Sequence, residues 1–572
     1  MRGKIPFSIP MIPAGFKLVD MLIMFVVTAE ISIVVYVASG WRYEMQPAVN
    51  ISLDPASIPL YAVNSLLRMF LAYTLSLGFS IWYGYTANRS KAHEKVMIPL
   101  LDILQSIPVL SFLPGVVMAM IAVFPNRRIG VELASILLIF TGQVWNMAFS
   151  YYNSINTIPR ELAEVTRVFR HDSFRKFMSL DLPFSAIGLI WNSMMSMSGG
   201  WFFLMACEMF VMKDRDFRLP GLGSYIKTAA DAGDMTHVFY GLATMVTVII
   251  VLDMFVWRPV VAWSQKFKFD TVQAEDEADS MVLDWLRKSV IARWAAAALV
   301  AALEWVGRFF GRSEARRRGA LAQRASKAFF WVLKAGVAAL MLWSLASALK
   351  LFSTLHVADF LSVFKAALYT TMRTTAAITL ASLWTVPLGV YIGFNPRAAK
   401  VLQPMVQVVA SIPATAVFPV VLVFLVKLGE GLALGSIFLM LLGTQWYILF
   451  NVIAGALAIP QDLKEAAGVY GIRGFAKWKA LILPGIFPYL VTGLITATGG
   501  AWNASIVSEY VTFSGKVLTT TGLGCVISEA TVSGNFALLL LATVMMAAVV
   551  VGINRLVWKK MFLIAQEKYR LE

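Results

Sequence analysis

Long stretches with almost no charge recur throughout this sequence, and no other feature narrows the possible folds as much. A helix needs about 20 apolar residues to cross roughly 30 Å of hydrocarbon. Runs of that kind lie at Val19 to Ser39, Leu60 to Thr86, Val96 to Phe124, Val131 to Ile155, Phe184 to Met212 and Val238 to Trp257. A second series lies at Ala328 to Leu349, Leu368 to Phe394, Leu402 to Val426, Leu432 to Ile459, Ile486 to Val511 and Phe536 to Trp558. With 59% hydrophobic and 14% charged residues over 572 positions, a soluble fold is excluded. Backbone polar groups in lipid must be satisfied within the segment, so the spans are expected to be helices. The expectation is an all-α polytopic membrane protein with about twelve spans, six per half.

The two series are copies of each other. Glu164 and Glu465 are 301 residues apart, and the same offset carries Trp145 to Trp446, Phe174 to Phe475, Trp201 to Trp502, Glu208 to Glu509 and Trp257 to Trp558. It also carries Gly221-Leu222-Gly223 to Gly522-Leu523-Gly524. Upstream the offset is 305, pairing Arg68 with Arg373, Gly84 with Gly389, Pro99 with Pro404 and Ser106-Ile107-Pro108 with Ser411-Ile412-Pro413. The change of four places one loop difference around Pro125 to Arg128. This is a tandem duplication. Its expected organisation is a first domain over 1–263, a linker over 264–327 and a second domain over 328–572.

Between the fourth and fifth spans of each half lies a polar, helix-prone island. The second, Pro460 to Pro484, reads PQDLKEAAGVYGIRGFAKWKALILP. Leu463, Ala466, Ala467 and Tyr470 recur at i, i+3, i+4 and i+7, which predicts one helical face, with Pro460 at its start and Pro484 opening the next element. The small residues Ala466, Ala467, Gly468 and Gly471 leave room for another protein to come close, while Lys464, Glu465, Arg473, Lys477 and Lys479 favour water. The first island, Pro159 to Pro183, has Glu164-Val165-Thr166, Phe169 and Arg170 at the matching places.

Glu465-Ala466-Ala467, then Gly471, then Ile482-x-Pro484, resembles the EAA loop of permease subunits of binding-protein-dependent ABC importers. The run Gly499-Gly500-Ala501-Trp502, Glu509 and the later Gly-Leu-Gly are similar to the nitrate, sulfonate and taurine branch of that family. The resemblance implies two fused six-helix type I importer domains. It also implies that Glu164, Val165, Phe169, Arg170, Glu465, Ala466, Ala467, Tyr470 and Gly471 couple the chain to two separate ATPase subunits, which would hold the ATP and Mg. An outer substrate-binding protein would be the other partner. The first island departs from the pattern at Val165-Thr166 and Arg170, so unequal coupling by the two halves is the expectation.

Charge sets the orientation. Arg89, Lys91 and Lys95, both islands, the basic segment Lys266 to Lys327, Arg397, Lys400 and the tail with Lys559, Lys560 and Lys568 all fall on one side if both termini are cytoplasmic. Arg127 and Arg128 are the exception. The expected location is the inner membrane of a bacterial cell. In the linker, Ile291 to Val306 is short and carries Arg293 and Glu304, which favours an interfacial helix over a further span. The net charge of +16 is expected to meet anionic lipid headgroups and not nucleic acid.

No catalytic cluster is present. The sequence lacks a G-x-x-x-x-G-K-[ST] loop, and its two cysteines and four histidines have no ligand spacing, so no cofactor or metal is expected on this chain. The buried charges Arg68, Glu208, Arg373 and Glu509 either line a path or brace the bundle as the pairs Arg68 with Glu208 and Arg373 with Glu509; bracing is favoured, since carboxylates would repel an anion. Gly199-Gly200-Trp201 and Gly500-Ala501-Trp502 suit either close helix packing or a gate. The two Ser-Ile-Pro motifs are expected to kink or hinge the third span of each half. The rival function is an ion- or proton-coupled secondary transporter, though six spans per half keep the repeats parallel where such transporters commonly invert them.

Overall fold

The computed structural model describes residues 50–125, 128–169, 173–212, 215–267, 281–291, 345–427 and 431–568, with a few isolated positions between 294 and 343. The expected first span, most of Ala328 to Leu349, most of the linker with its Ile291 to Val306 segment, and Arg170 lie outside the described residues. The chain forms two compact units. The smaller takes Ser150–Met194 with the described part of 251–341, and the larger takes residues 50–149, Met195–Ile250 and 342–568.

The first half contributes α1 (Ile58–Ala87), α2 (Lys91–Ser106), α3 (Leu113–Val123), α4 (Arg128–Asn156), α5 (Arg160–Val168), α6 (Ser173–Lys176), α7 (Leu182–Glu208), α8 (Leu222–Asp231), α9 (Met235–Leu252) and α10 (Arg258–Ser264). After α11 (Met281–Lys288) the series repeats as α12 (Val357–Phe394), α13 (Pro396–Ser411), α14 (Ala414–Lys427), α15 (Leu432–Ala458), α16 (Gln461–Val469), α17 (Gly474–Lys477), α18 (Leu483–Ser508), α19 (Leu523–Ser533), α20 (Phe536–Ile553) and α21 (Lys559–Lys568). Two short hairpins complete the repeat: β1 (Val211–Met212) with β2 (Arg215–Asp216), and β3 (Tyr510–Phe513) with β4 (Lys516–Thr519). The β3–β4 turn is Ser514-Gly515, both with positive φ, which is the two-residue geometry that matches strand twist.

Among the described residues seven helices are long and apolar enough to cross a membrane, or eight if the bent pair Arg397–Ser411 with Ala414–Leu425 counts as one. Each coincides with an expected span. The expected span Phe184 to Met212 is the 27-residue α7, long enough but less apolar because Asn192, Ser193, Ser196, Ser198 and three glycines interrupt it.

The third span of each half is fully broken rather than kinked. Helix α2 stops at Ser106 and Ile107 is extended; α13 stops at Ser411 and Ile412 is extended. Pro108 and Pro413 account for this, because the residue before proline is pushed out of the helical region. In the second half the two pieces meet at 84°.

The islands also differ from expectation. Pro484 does not open a new element: the helix already runs from Gly474, passes through a π turn at Trp478–Ile482 and continues as α18. The first half repeats this with a π turn at Phe177–Asp181 ahead of α7. A proline two residues past such a turn has its missing donor where the hydrogen-bond register is already shifting.

In the larger unit, α12, α15 and α18 pack most closely. A Cβ on Gly389 would meet the Val452 side chain at 2.8 Å, and one on Gly393 would meet Ala456 at 2.5 Å, so α12 and α15 approach through small residues. One apolar cluster there combines Leu110, Val131 and Ala206 from the first half with Trp502, Leu523 and Met546 from the second.

Candidate functional site

The second island is built by a helix stop. Helix α16 ends at Val469, and Gly471 turns the chain with φ of +64°. Ile472 N–H then donates to the Ala467 carbonyl at 2.9 Å, and Gly471 N–H to the Gly468 carbonyl at 3.1 Å. This closes the helix end around a left-handed residue, which glycine adopts without strain. Tyr470 therefore lies past the helix and leaves the face predicted for it. Ala467 packs inward at 5% exposure, while Val469, Tyr470 and Phe475 stand 85%, 81% and 83% exposed. Glu465 is exposed and its carboxylate accepts from the Gln461 amide at 3.1 Å.

In the first half, Thr166 takes the inward place of Ala467, its hydroxyl donating to the Ala163 carbonyl at 2.8 Å. Val165, Val168 and Phe169 are exposed, and so is Glu164. Both islands thus present exposed apolar side chains on short connections between spans.

The four intramembrane charges form two buried clusters at matching places. Arg68 donates to Glu208 at 2.7 Å, and Glu208 also accepts from the Ser65 hydroxyl and from Gly223 N–H, each at 2.7 Å. Arg373 donates to Glu509 at 3.1 Å, with the Thr370 hydroxyl at 2.9 Å and Gly524 N–H at 2.8 Å completing the set. The Ser65 and Thr370 oxygens in turn accept from Leu222 N–H and Leu523 N–H. Each carboxylate therefore sits on the N-terminus of α8 or α19, where free N–H groups favour negative charge. A Cβ on Gly221 or Gly522 would collide with the carboxyl group of Glu208 or Glu509, so the glycines keep that space clear. Charge-paired and buried, Arg373 slightly less completely than the other three, the four residues tie α1 to α7 and α12 to α18.

The clusters are unequal. In the first, Glu132 takes a two-pronged hold on Arg68, at 2.5 and 2.9 Å, and is itself held by Arg128. The corresponding position in the second half is Ala433, and there Arg373 donates instead to the Thr520 hydroxyl at 2.8 Å; both arginines also donate to a matching carbonyl, Arg68 to Pro220 at 3.0 Å and Arg373 to Thr521 at 2.6 Å.

Trp201 and Trp502 are buried at 2% and 0% exposure, and Ala501 and Gly200 are buried with them. Gly199 and Gly500 both face Tyr447 of α15: a Cβ on Gly199 would lie 3.3 Å from its hydroxyl, and one on Gly500 would lie 3.1 Å from its ring. The broken spans reach the same stretches from the opposite half. The Ser198 and Ser411 hydroxyls are 2.9 Å apart, and Leu110 N–H donates to Asn503 at 3.3 Å. The helix breaks and the small-residue stretches thus meet inside the larger unit, lined by hydroxyl, amide and ring groups.

Across the opposite ends of these helices, Lys227 of α8 donates to Asp231 at 2.6 Å and to the Thr512 carbonyl of β3 at 2.8 Å, and contacts the Thr512 hydroxyl. Ser514 N–H donates to the Ala230 carbonyl at 3.2 Å. Burial holds the Lys227 ammonium below its ordinary range, although Asp231 opposes this. The hairpin of one half is therefore latched to the short helix of the other.

Sequence reasoning missed Glu132, Ser65, Thr370, Tyr447 and Lys227. Ser65 and Thr370 share the 305-residue offset, and Glu132 is the sole acidic residue of α4, so those signals were legible. Tyr447 has Asn146 as its counterpart, and Lys227 has Ser528; neither pair carries a repeat signal.

With this geometry in view, the class is a duplicated, multi-pass helical membrane protein with matched polar islands and broken spans. The family described as "Binding-protein-dependent transport system inner membrane component" matches residues 76–259 and again 385–562. The chain belongs to that family of ABC transporter permeases, non-enzymatic membrane subunits, and carries its domain twice in tandem. It is 29% identical over 185 residues to the nitrate import permease protein NrtB of Leptolyngbya laminosa and, over the same length, to the bicarbonate transport system permease protein CmpB of Synechococcus elongatus. Each match covers 32% of this chain and 63% of the relative. The taurine transport system permease protein TauC of Escherichia coli is 26% identical over 159 residues, 28% of this chain and 54% of its own length. The chain thus spans somewhat under two thirds of the relatives it matches.

Proposed function

We propose that this chain is the transmembrane subunit of an ATP-driven importer of the inner membrane, with both termini and both islands on the cytoplasmic side. The observation that carries the reading is the pair of islands. Val469, Tyr470 and Phe475 are more than four-fifths exposed, and Val168 and Phe169 are 79% and 70% exposed. Large apolar side chains held that far out of the fold on short connections are a docking surface. Two ATPase subunits, binding ATP and Mg themselves, would grip one island each, and a substrate-binding protein would deliver solute to the outer face.

The helix ending at Val469 joins directly to the spans α15 and α18, so movement of the island reaches the stretch where Ser198, Ser411 and Tyr447 lie. Alternation of that stretch between the two faces would carry the solute inward. The named relatives handle nitrate, bicarbonate and taurine, and the crossing is lined by neutral hydrogen-bonding groups. A small solute bearing an anionic group fits both facts.

The test is assembly and ATP hydrolysis in nanodiscs with the cognate ATPase subunits. Tyr470→Asp and Phe169→Asp should each reduce co-elution of those subunits, while Lys516→Ala on the outer hairpin should leave it unchanged. Retention of full assembly by the double variant Tyr470→Asp/Phe169→Asp would end this reading.

A further inference from the structure

The second island is fastened to the membrane bundle by an aromatic contact whose ring and one of whose two cations are not repeated at the matching positions of the first half. Phe394 is the last residue of α12. The Lys464 ammonium of α16 lies 4.8 Å from the centre of its ring, and the Lys477 ammonium of α17 lies 5.2 Å from it. Both distances fall within the roughly 6 Å over which a cation is attracted to an aromatic face. Burial, followed by the neighbouring Lys477 charge, holds the Lys464 ammonium below the usual lysine range. Two like charges converge on one ring, which supplies the negative potential that lets them do so.

The ring stands at a junction. Asn395, the next residue, caps α13 by accepting from Arg397 N–H and Ala398 N–H at 3.1 and 3.2 Å. Helix α13 then runs to Ser411, whose hydroxyl meets Ser198 at the crossing. A displacement of α16 and α17 therefore pulls on α12 and α13 through Phe394 without passing through the α15 and α18 connections.

In the first half the three positions hold Arg89, Ala163 and Lys176. A guanidinium and a methyl group replace the ring and one of its cations, and Lys176 is paired with Asp181 at 3.4 Å, a carboxylate whose counterpart is Ile482. We infer that Phe394, gripped by Lys464 and Lys477, is a positioning residue that transmits movement of the second island to the broken span α13. The inference rests on the functional reading above.

The test uses the full chain in nanodiscs with its ATPase subunits and reads two quantities: co-elution of those subunits, and the ATPase rate of the complex relative to the ATPase subunits alone. Phe394 is replaced by mono-, di- and trifluorophenylalanine, which keeps the ring's shape while draining the charge from its face. The stimulation should fall stepwise along the series, by about three- to tenfold at its end, with co-elution unchanged. In a Lys464→Met/Lys477→Met background the stimulation should start low and become insensitive to fluorination, and Lys464→Arg/Lys477→Arg should restore the dependence. A flat series in a complex that assembles and hydrolyses ATP overturns this inference and leaves the functional reading standing. A wild-type chain that captures no ATPase subunit overturns both.

Discussion

Removing Arg68 tests the unequal bracing of the two halves. Arg68 is fully buried and holds two carboxylates, Glu132 at 2.5 Å and Glu208 at 2.7 Å, both also fully buried. In Arg68→Met, Glu132 would keep Arg128 at 3.1 Å, but Glu208 would keep only the Ser65 hydroxyl and Gly223 N–H. Breaking a buried pair by deleting one partner costs about 3–5 kcal/mol, because the remaining charge is left uncompensated. In Arg373→Met one carboxylate is stranded, its pair was longer at 3.1 Å, and the arginine side chain is 10% exposed, so water can replace part of what is lost. That variant should cost about 3 kcal/mol or less.

The expected order is thus Arg68→Met well below Arg373→Met in stability, a gap readable as separate unfolding midpoints in nanodiscs followed by tryptophan fluorescence. Arg68→Met/Glu208→Met removes the stranded charge and should recover about half or more of the loss, since an apolar replacement of a buried pair is often near neutral. Equal losses for the two arginine variants, or a double variant no better than Arg68→Met alone, would refute the reasoning.

Gly522→Ala places a Cβ on the Glu509 carboxyl group and should destabilise by about 1–3 kcal/mol, with Gly499→Ala, which meets nothing within 4 Å, as the neutral control in the same unfolding assay. Gly471→Ala should cost about 1–2 kcal/mol through its φ of +64°, whereas Gly468→Ala in the same open surroundings should be neutral or stabilising; proteolysis of the island reads the difference. Asp234 accepts from Thr236 N–H and His237 N–H at the start of α9 and from the His237 ring at 2.6 Å, and the histidine hydrogen bonds hold its carboxyl below the ordinary aspartate range. A depressed carboxylate stabilises above its unfolded value and loses that contribution as pH falls through the folded one. Amide exchange at Thr236 and His237 should therefore stay slow at neutral pH and quicken only once the solution is more acidic than an ordinary aspartate, and Asp234→Asn should remove that dependence.

The spans were legible because lipid demands apolar length and nothing else in a sequence supplies it so plainly. The repeat was legible because invariant spacing carried tryptophans, prolines and acidic residues across in one frame, and the same spacing marked Arg68 with Glu208 and Arg373 with Glu509 as matching pairs. The buried pairing needed no more than the expectation that a charge in hydrocarbon finds its opposite. What periodicity could not convey is where a helix stops and which neighbour it then meets. Tyr470 satisfied the i, i+7 spacing, yet a left-handed Gly471 ended the helix before it, turning a predicted face into an exposed tip. Pro484 read as a boundary, yet a π turn absorbed it into a continuous helix.

The harder residues share one property: they are unique to one half. Glu132 faces Ala433 across the repeat, Tyr447 faces Asn146, Phe394 faces Arg89 and Lys227 faces Ser528. A duplicated chain compared with itself highlights what both copies keep, and that is the common scaffold of spans, breaks, carboxylate clusters and islands. Fusion removes the requirement that the halves stay interchangeable, because each can occupy only its own place. The differences are then free to specialise: a reinforced arginine cluster in the first half, and in the second a glycine-stopped island held to its bundle by Phe394. A chain in which one half is the better brace and the other the better lever would tolerate loss of the Glu132 contact at the cost of stability alone. It would tolerate loss of the Phe394 contact at the cost of coupling alone. Glu132→Gln and Phe394→Leu, measured side by side for unfolding midpoint and for ATPase stimulation, should therefore move opposite readouts; a shift of both readouts by both variants would mean that the halves have not divided the work.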